Sequence, residues 1–248
     1  MLPCTIQTNA VCATNCVMKR VAEARLKPRS GRMGRMSELA RCWLGVVHQL
    51  GGEPDLARGD AAELERSYAA SSRHYHGVEH IVAVLKDLAW LGPELALTIQ
   101  DQALARAAAC THDIIYEAKP GEDERSSAEW ARTRLLGVGV PAQLAVRVAD
   151  LVLATLDHAA SDDDPVASVL LDADLAILGS ESEQYAKYAA AVRLEYASIS
   201  EDAWRVGRTA VLSGLLNRRP LYRTAAARVR WDAQARLNIQ TELDNLAG

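Results

Sequence analysis

The chain alternates apolar stripes of helical period with short polar breaks. From Ser37 to Leu50 apolar residues recur at Leu39, Trp43, Val46, Val47 and Leu50, one face of a helix that Gly51-Gly52 would stop. A more polar helix is expected over residues 60–70. A third runs from Val78 to Leu91, with Val78, Ile81, Val82, Leu85 and Leu88 in one stripe and a stop at Gly92-Pro93. Residues 94–113 are Ala-rich and apolar on most faces, as befits a central helix. After the polar loop Glu117–Asp123, helices are expected at 124–136, 142–157 and 166–178. Ser180 with Glu183 reads as a capping box for the next one. Ser200, followed by Glu201 and Asp202, marks a further start, and 224–246 forms the last helix. No stretch alternates with period two. The predicted class is all-α, one domain over residues 36–248.

Composition fits that pattern. Phe is absent and aromatics are 5%, so the core must be mostly Ala, Leu and Val, residues that lose little freedom in helices. No apolar run approaches the ~20 residues of a membrane helix, and a soluble protein without a membrane partner is expected. Residues 1–35 hold seven Lys or Arg and one acid, so a formal total of −4 leaves −10 on residues 36–248. The basic segment reads as a disordered extension. The acidic body argues against nucleic acid as a partner. Five cysteines form no obvious disulfide framework. Cys4, Cys12 and Cys16 lack a fourth ligand nearby, and Cys42 and Cys110 read as buried thiols, which suits a reducing cytoplasm.

Chemistry concentrates in a few places. His76-Gly-Val-Glu79-His80 spells H-x-x-E-H, the inverzincin protease signature. That reading needs both histidines on one continuous helix, and it leaves the later elements unexplained. His80 faces an apolar stripe. His112-Asp113 ends the central helix, and the pair offers nitrogen and oxygen to a divalent metal. Asp174 lies inside the apolar run LLDADLAIL, where a carboxylate must be paired, hydrogen-bonded or metal-bound. Taken singly, each residue has a bland reading: a core histidine, a solvated aspartate, a buried salt bridge.

The order His80, His112-Asp113, Asp174 resembles the H…HD…D pattern of the HD-domain superfamily. Tyr75-His76-x3-His80 and Ala173-Asp174-Leu175 are similar to elements of cyclic-nucleotide phosphodiesterases. The resemblance is closer to a bacterial group of metal-dependent HD phosphohydrolases, with elements R-x-Y-H-N-L-x-H-I, H-D-x-V-Y, N-E-x-x-S-A and D-A-D-L-x-I-L-G. The corresponding stretches here begin at Arg73, His112, Asp123 and Asp172. Gly77 and Asp123 stand where that group has Asn.

The resemblance implies an HD-like helical bundle in which His80, His112, Asp113 and Asp174 hold one divalent ion (Mn, Mg, Co, Ni, Fe or Zn). Its expected substrate is a small phosphorylated molecule, with Asp113 also orienting water and His76 protonating the leaving oxygen. Glu124 would orient a ligand or act as an alternative acid. His158 would contact substrate or add a metal ligand. Arg193 and Arg208 would clamp phosphate, or sit in salt bridges as most helical arginines do. Asp172 is expected to be structural and Glu79 solvated. Two rival readings are a dinuclear iron oxygenase on the same scaffold and a non-catalytic nucleotide or metal sensor.

Overall fold

Ten helices follow one another in the computed structural model, which describes residues 36–119, 121–161 and 163–248; no strand occurs among them. The expected basic extension and its three cysteines lie outside the described residues. The helices are α1 (Glu38–Gln49), α2 (Arg58–Tyr68), α3 (Val78–Glu94), α4 (Ile99–Thr111), α5 (Glu122–Gly137), α6 (Ala142–Leu153), α7 (Pro165–Asp174), α8 (Ser182–Glu195), α9 (Glu201–Leu216) and α10 (225–247). A 3-10 turn, Leu175–Gly179, follows α7, and α10 contains a π-helical turn, Arg228–Asp232. Ser37–Gly248 form one compact unit.

The stripe of α1 is buried in full, and Ser37 caps the helix by accepting from the Ala40 amide at 3.1 Å. At the centre stands α4, which buries seven residues in succession if Arg106 is passed over, from Ala103 to Cys110. Small side chains let five helices, α1, α3, α5, α6 and α7, close around it. Cys110 of α4 and the half-buried Cys42 of α1 bring their sulfurs to 3.8 Å as free thiols.

Three expected boundaries move. α3 continues through Gly92-Pro93 to Glu94, with Pro93 inside its last turn at the cost of one backbone bond. The central helix starts at Ile99 rather than 94. There Thr98 and Asp101 form a reciprocal capping box, Thr98 Oγ1 accepting from the Asp101 amide at 3.1 Å. The expected Ser180–Glu183 box does not form. Ser180 instead ends the 3-10 turn, Glu181 caps α8 without a side-chain bond, and Glu183 pairs with Lys187 at 2.7 Å. Among the described residues, no helix is long and apolar enough to cross a membrane.

Candidate metal centre

Three helix ends meet at one point. His80 is the third residue of α3, His112 caps the C-terminus of α4, Asp113 follows it, and Asp174 is the last residue of α7. α3 packs on both α4 and α7, and α4 on α7, so hydrophobic burial along the helices carries these polar ends together. Two of the three ends are helix C-termini, whose exposed carbonyls favour a cation.

The donor atoms cluster tightly. His80 Nε2 lies 3.2 Å from His112 Nε2, 3.2 Å from Asp174 Oδ1 and 3.5 Å from Asp113 Oδ2. His112 Nε2 lies 3.1 Å from Asp113 Oδ2 and 3.4 Å from Asp174 Oδ1. Ligands held at about 2.1 Å from one ion are about 3.0–3.4 Å apart, depending on coordination number. Four of the five separations fall in that range, and His80 to Asp113, at 3.5 Å, lies just outside it. His80, His112 and Asp174 form the group with metal-binding spacing found among the described residues, and Asp113 reaches both of its imidazoles.

Two features fit this set to a metal. His112 Nδ1 is 3.1 Å from the Ala109 carbonyl, which can only accept, so Nδ1 carries a proton and Nε2 is the nitrogen that would face a metal. Asp113 Oδ2 is buried and accepts no hydrogen bond, although His112 Nε2 is close. An orphaned buried carboxylate oxygen is costly unless a cation faces it. Burial would raise the Asp113 and Asp174 carboxyls, yet the neighbouring imidazoles hold both well below the usual carboxylate range. Burial lowers His80, whereas in His112 the two carboxylates outweigh burial and raise it.

His158, just beyond α6, has a left-handed backbone (φ 50°) and donates from Nε2 to Asp174 Oδ2 at 3.0 Å. This leaves Asp174 Oδ1 turned to His80 and His112. His158, expected as a substrate contact or an added metal ligand, has its Nε2 engaged by Asp174 and lines the cavity beside it.

His76 lies before α3, since Gly77 is the N-cap. The two histidines of H-x-x-E-H therefore do not share a continuous helix, and Glu79 is exposed. Gly77 offers no capping side chain; a Cβ there would come to 3.2 Å from the Tyr68 carbonyl. His76 stacks on Tyr116, ring centroids 4.5 Å apart. A cavity of about 160 Å³ is lined by His76, His112, Asp113, Glu124, His158 and Asp174, so Glu124 is brought to the same space. Glu124 Oε2 also accepts from the Gly121 amide at 2.6 Å and closes the first turn of α5.

The sequence reading missed two residues. Glu195, at the end of α8, accepts from the Tyr75 and His76 amides at 2.7 and 2.9 Å, from His76 Nδ1 at 2.6 Å and from the Tyr116 hydroxyl at 3.0 Å. Burial would raise its carboxyl, but the bonds from His76 and its amides pull it down to about 2. Arg73 donates to the carbonyls of His76 (3.0 Å), Asp113 (2.5 Å) and Ile114 (2.9 Å), tying the His76 loop to the His112-Asp113 turn. Arg73 could have been noticed as the first letter of the R-x-Y-H element; no local signal points to Glu195.

Two expected phosphate clamps are corrected. Arg193 is occupied by the Tyr196 carbonyl at 2.8 Å and by Glu201 at 3.2 Å, and it stacks over Trp204. Arg208 borders a 440 Å³ cavity that also touches His76, His80 and Asp174, but its guanidinium is buried and paired with Glu242 at 2.8 Å. Asp172 is structural as expected, accepting from the Arg223 and Thr224 amides at 2.7 Å each.

No protein-family model matches this chain, and neither a curated protein nor a solved structure matches it.

Proposed function

We propose that this protein is an HD-type, metal-dependent phosphohydrolase that cleaves an ester of a small phosphorylated molecule. The observation that carries the reading is the convergence of His80, His112, Asp113 and Asp174 beside a cavity that His76 also lines. These four side chains would hold one divalent cation. When bound, such an ion supplies positive charge for a phosphoryl oxygen and makes a water molecule more acidic.

The chain's own groups do the rest. Asp113 would bind the ion through its orphaned oxygen and orient the attacking water beside it. His76 is held by Glu195 through Nδ1–H, so Nε2 is the ring nitrogen left to hand a proton to the departing oxygen. His158 fixes the rotamer of Asp174. Glu124 stands at the cavity as an alternative acid. Engagement of His158 with Asp174 favours a single ion over a dinuclear oxygenase site. The close, unjoined thiols of Cys42 and Cys110 suit a reducing cytoplasm.

The test is metal analysis of the purified protein, combined with hydrolysis of a panel of nucleotides, sugar phosphates and 4-nitrophenyl phosphate with Mn, Mg, Co, Ni, Fe and Zn. One ion per chain and metal-dependent phosphate release are expected. Two irons with dioxygen-dependent turnover, or binding without turnover of any ester, would overturn the assignment.

A further inference from the structure

A 620 Å³ cavity on the far side of His158 is bordered by Arg218, Arg219 and Arg228, in and after the turn from α9 to α10. Several arginines of this acidic body are ion-paired: Arg134 with Glu63, Arg147 with Asp164, Arg208 with Glu242, Arg236 with Asp232. These three make no ion pair among the described residues. Arg218 donates to the carbonyls of Asp157 and His158 at 2.5 and 3.3 Å, and Arg228 to those of Tyr222 and Arg223 at 3.4 and 2.6 Å. Carbonyls position a guanidinium without neutralising it. Arg219 is exposed.

The acids bordering the cavity offset only part of this charge, since Asp157 and Asp172 are two carboxylates against the guanidiniums of Arg218, Arg219, Arg223 and Arg228. Both oxygens of Asp172 are turned to backbone amides, and Asp157 Oδ1 accepts from the Ala159 amide at 3.0 Å. Arg218 is pushed down by burial and, against the pull of Asp157, by the neighbouring Arg223, which reflects crowding of like charge. The cavity is continuous in its lining with the metal centre. Arg218, Asp157 and His158 border both it and the 440 Å³ cavity that reaches Asp174 and His76, and His158 itself bonds Asp174.

We infer that the Arg218–Arg219–Arg228 cavity is a second anion subsite, and that the ligand is a small metabolite bearing phosphate groups at two places. One group sits at the metal centre and another against these guanidiniums, whose planar forks match phosphate oxygens. The anion-binding half stands by itself; the placement of the scissile group rests on the hydrolase reading above.

The experiment is calorimetric titration of metal-stripped full-length protein with inorganic tripolyphosphate at low salt. Wild type is compared with Arg218→Gln/Arg228→Gln and with the single variant Arg219→Gln, whose exposed side chain holds nothing in the fold. The expected loss of affinity is about tenfold or more in the double variant and about threefold in the single, with binding weakened by added salt. Equal affinity in wild type and Arg219→Gln together with the double variant, or no binding to wild type, would overturn the subsite. A kinetic arm separates the two claims: in the double variant KM for a sugar bisphosphate should rise about tenfold while that for 4-nitrophenyl phosphate holds. If wild type hydrolyses neither, the hydrolase reading falls, and the tripolyphosphate titration still decides the subsite.

Discussion

His76 Nδ1 lies 2.6 Å from Glu195 Oε2, although 119 positions separate the two residues in the chain. The same carboxylate takes the amides of Tyr75 and His76, so it fixes the loop as well as the ring. Replacing the acid by its amide keeps the shape and removes the charge. Glu195→Gln is expected to lower kcat by roughly 10–100-fold with metal content unchanged, and His76→Ala by about 100-fold or more. Steady-state kinetics beside metal analysis checks both.

Glu195 also predicts an acid limb of stability. Its carboxyl is held at about 2 in the fold against 4.5 ordinarily, a depressed value, so its contribution is complete above about 4.5 and is lost as pH falls toward 2. Thermal melts between those values should show Tm dropping on acidification. The drop should be shallower in Glu195→Gln, with Asp113 and Asp174 supplying the remaining slope.

Asp113→Ala removes a ligand and the orphaned oxygen together, so metal and activity should disappear in the same variant. In wild type, an ion present at about 100 times its Kd adds about 2.7 kcal/mol. For a chain of this size that is a rise of roughly 5–10 °C in Tm. A chelator should reverse the rise, and Asp113→Ala should show none.

His158→Ala takes the donor from Asp174 Oδ2. Metal affinity should weaken by about 10–100-fold while stoichiometry at saturation stays at one. A fall from two ions to one would instead mark His158 as a ligand of a second metal.

Arg73→Ala would leave three carbonyls at the joint between the His76 loop and the His112-Asp113 turn without their charged donor. A loss of about 2–4 kcal/mol is expected in urea unfolding, along with weaker metal binding. Arg73→Lys should recover only part of either, because one ammonium cannot span the fork.

The helices and the ligands were legible for different reasons. Apolar period marked α1, α3 and the Ala-rich α4, because burying one stripe is a local consequence of where Leu, Val and Ala stand. An aspartate in LLDADLAIL was conspicuous since an apolar helix does not tolerate an unpartnered carboxylate. His112-Asp113 and the His76 element stood out through resemblance, and the geometry brings all of them to one place. Helix ends were read less well. The box expected at Ser180 does not form, and the one that does form, at Thr98, was not expected.

What the chain order could not convey is which distant side chain meets which. Glu195 and Arg193 lie two positions apart on α8, and nothing local says that the acid faces His76 while the arginine turns to Glu201. Arg208 and Arg218 look alike as letters, yet one is neutralised by Glu242 and the other only rests on carbonyls. Periodicity and burial are set by neighbours a few residues away, so the sequence alone determined an all-helical fold and a set of candidate ligands. Pairing of charges depends on distances between helix ends that only the folded packing establishes, and that packing decided which candidates converge and which are engaged elsewhere.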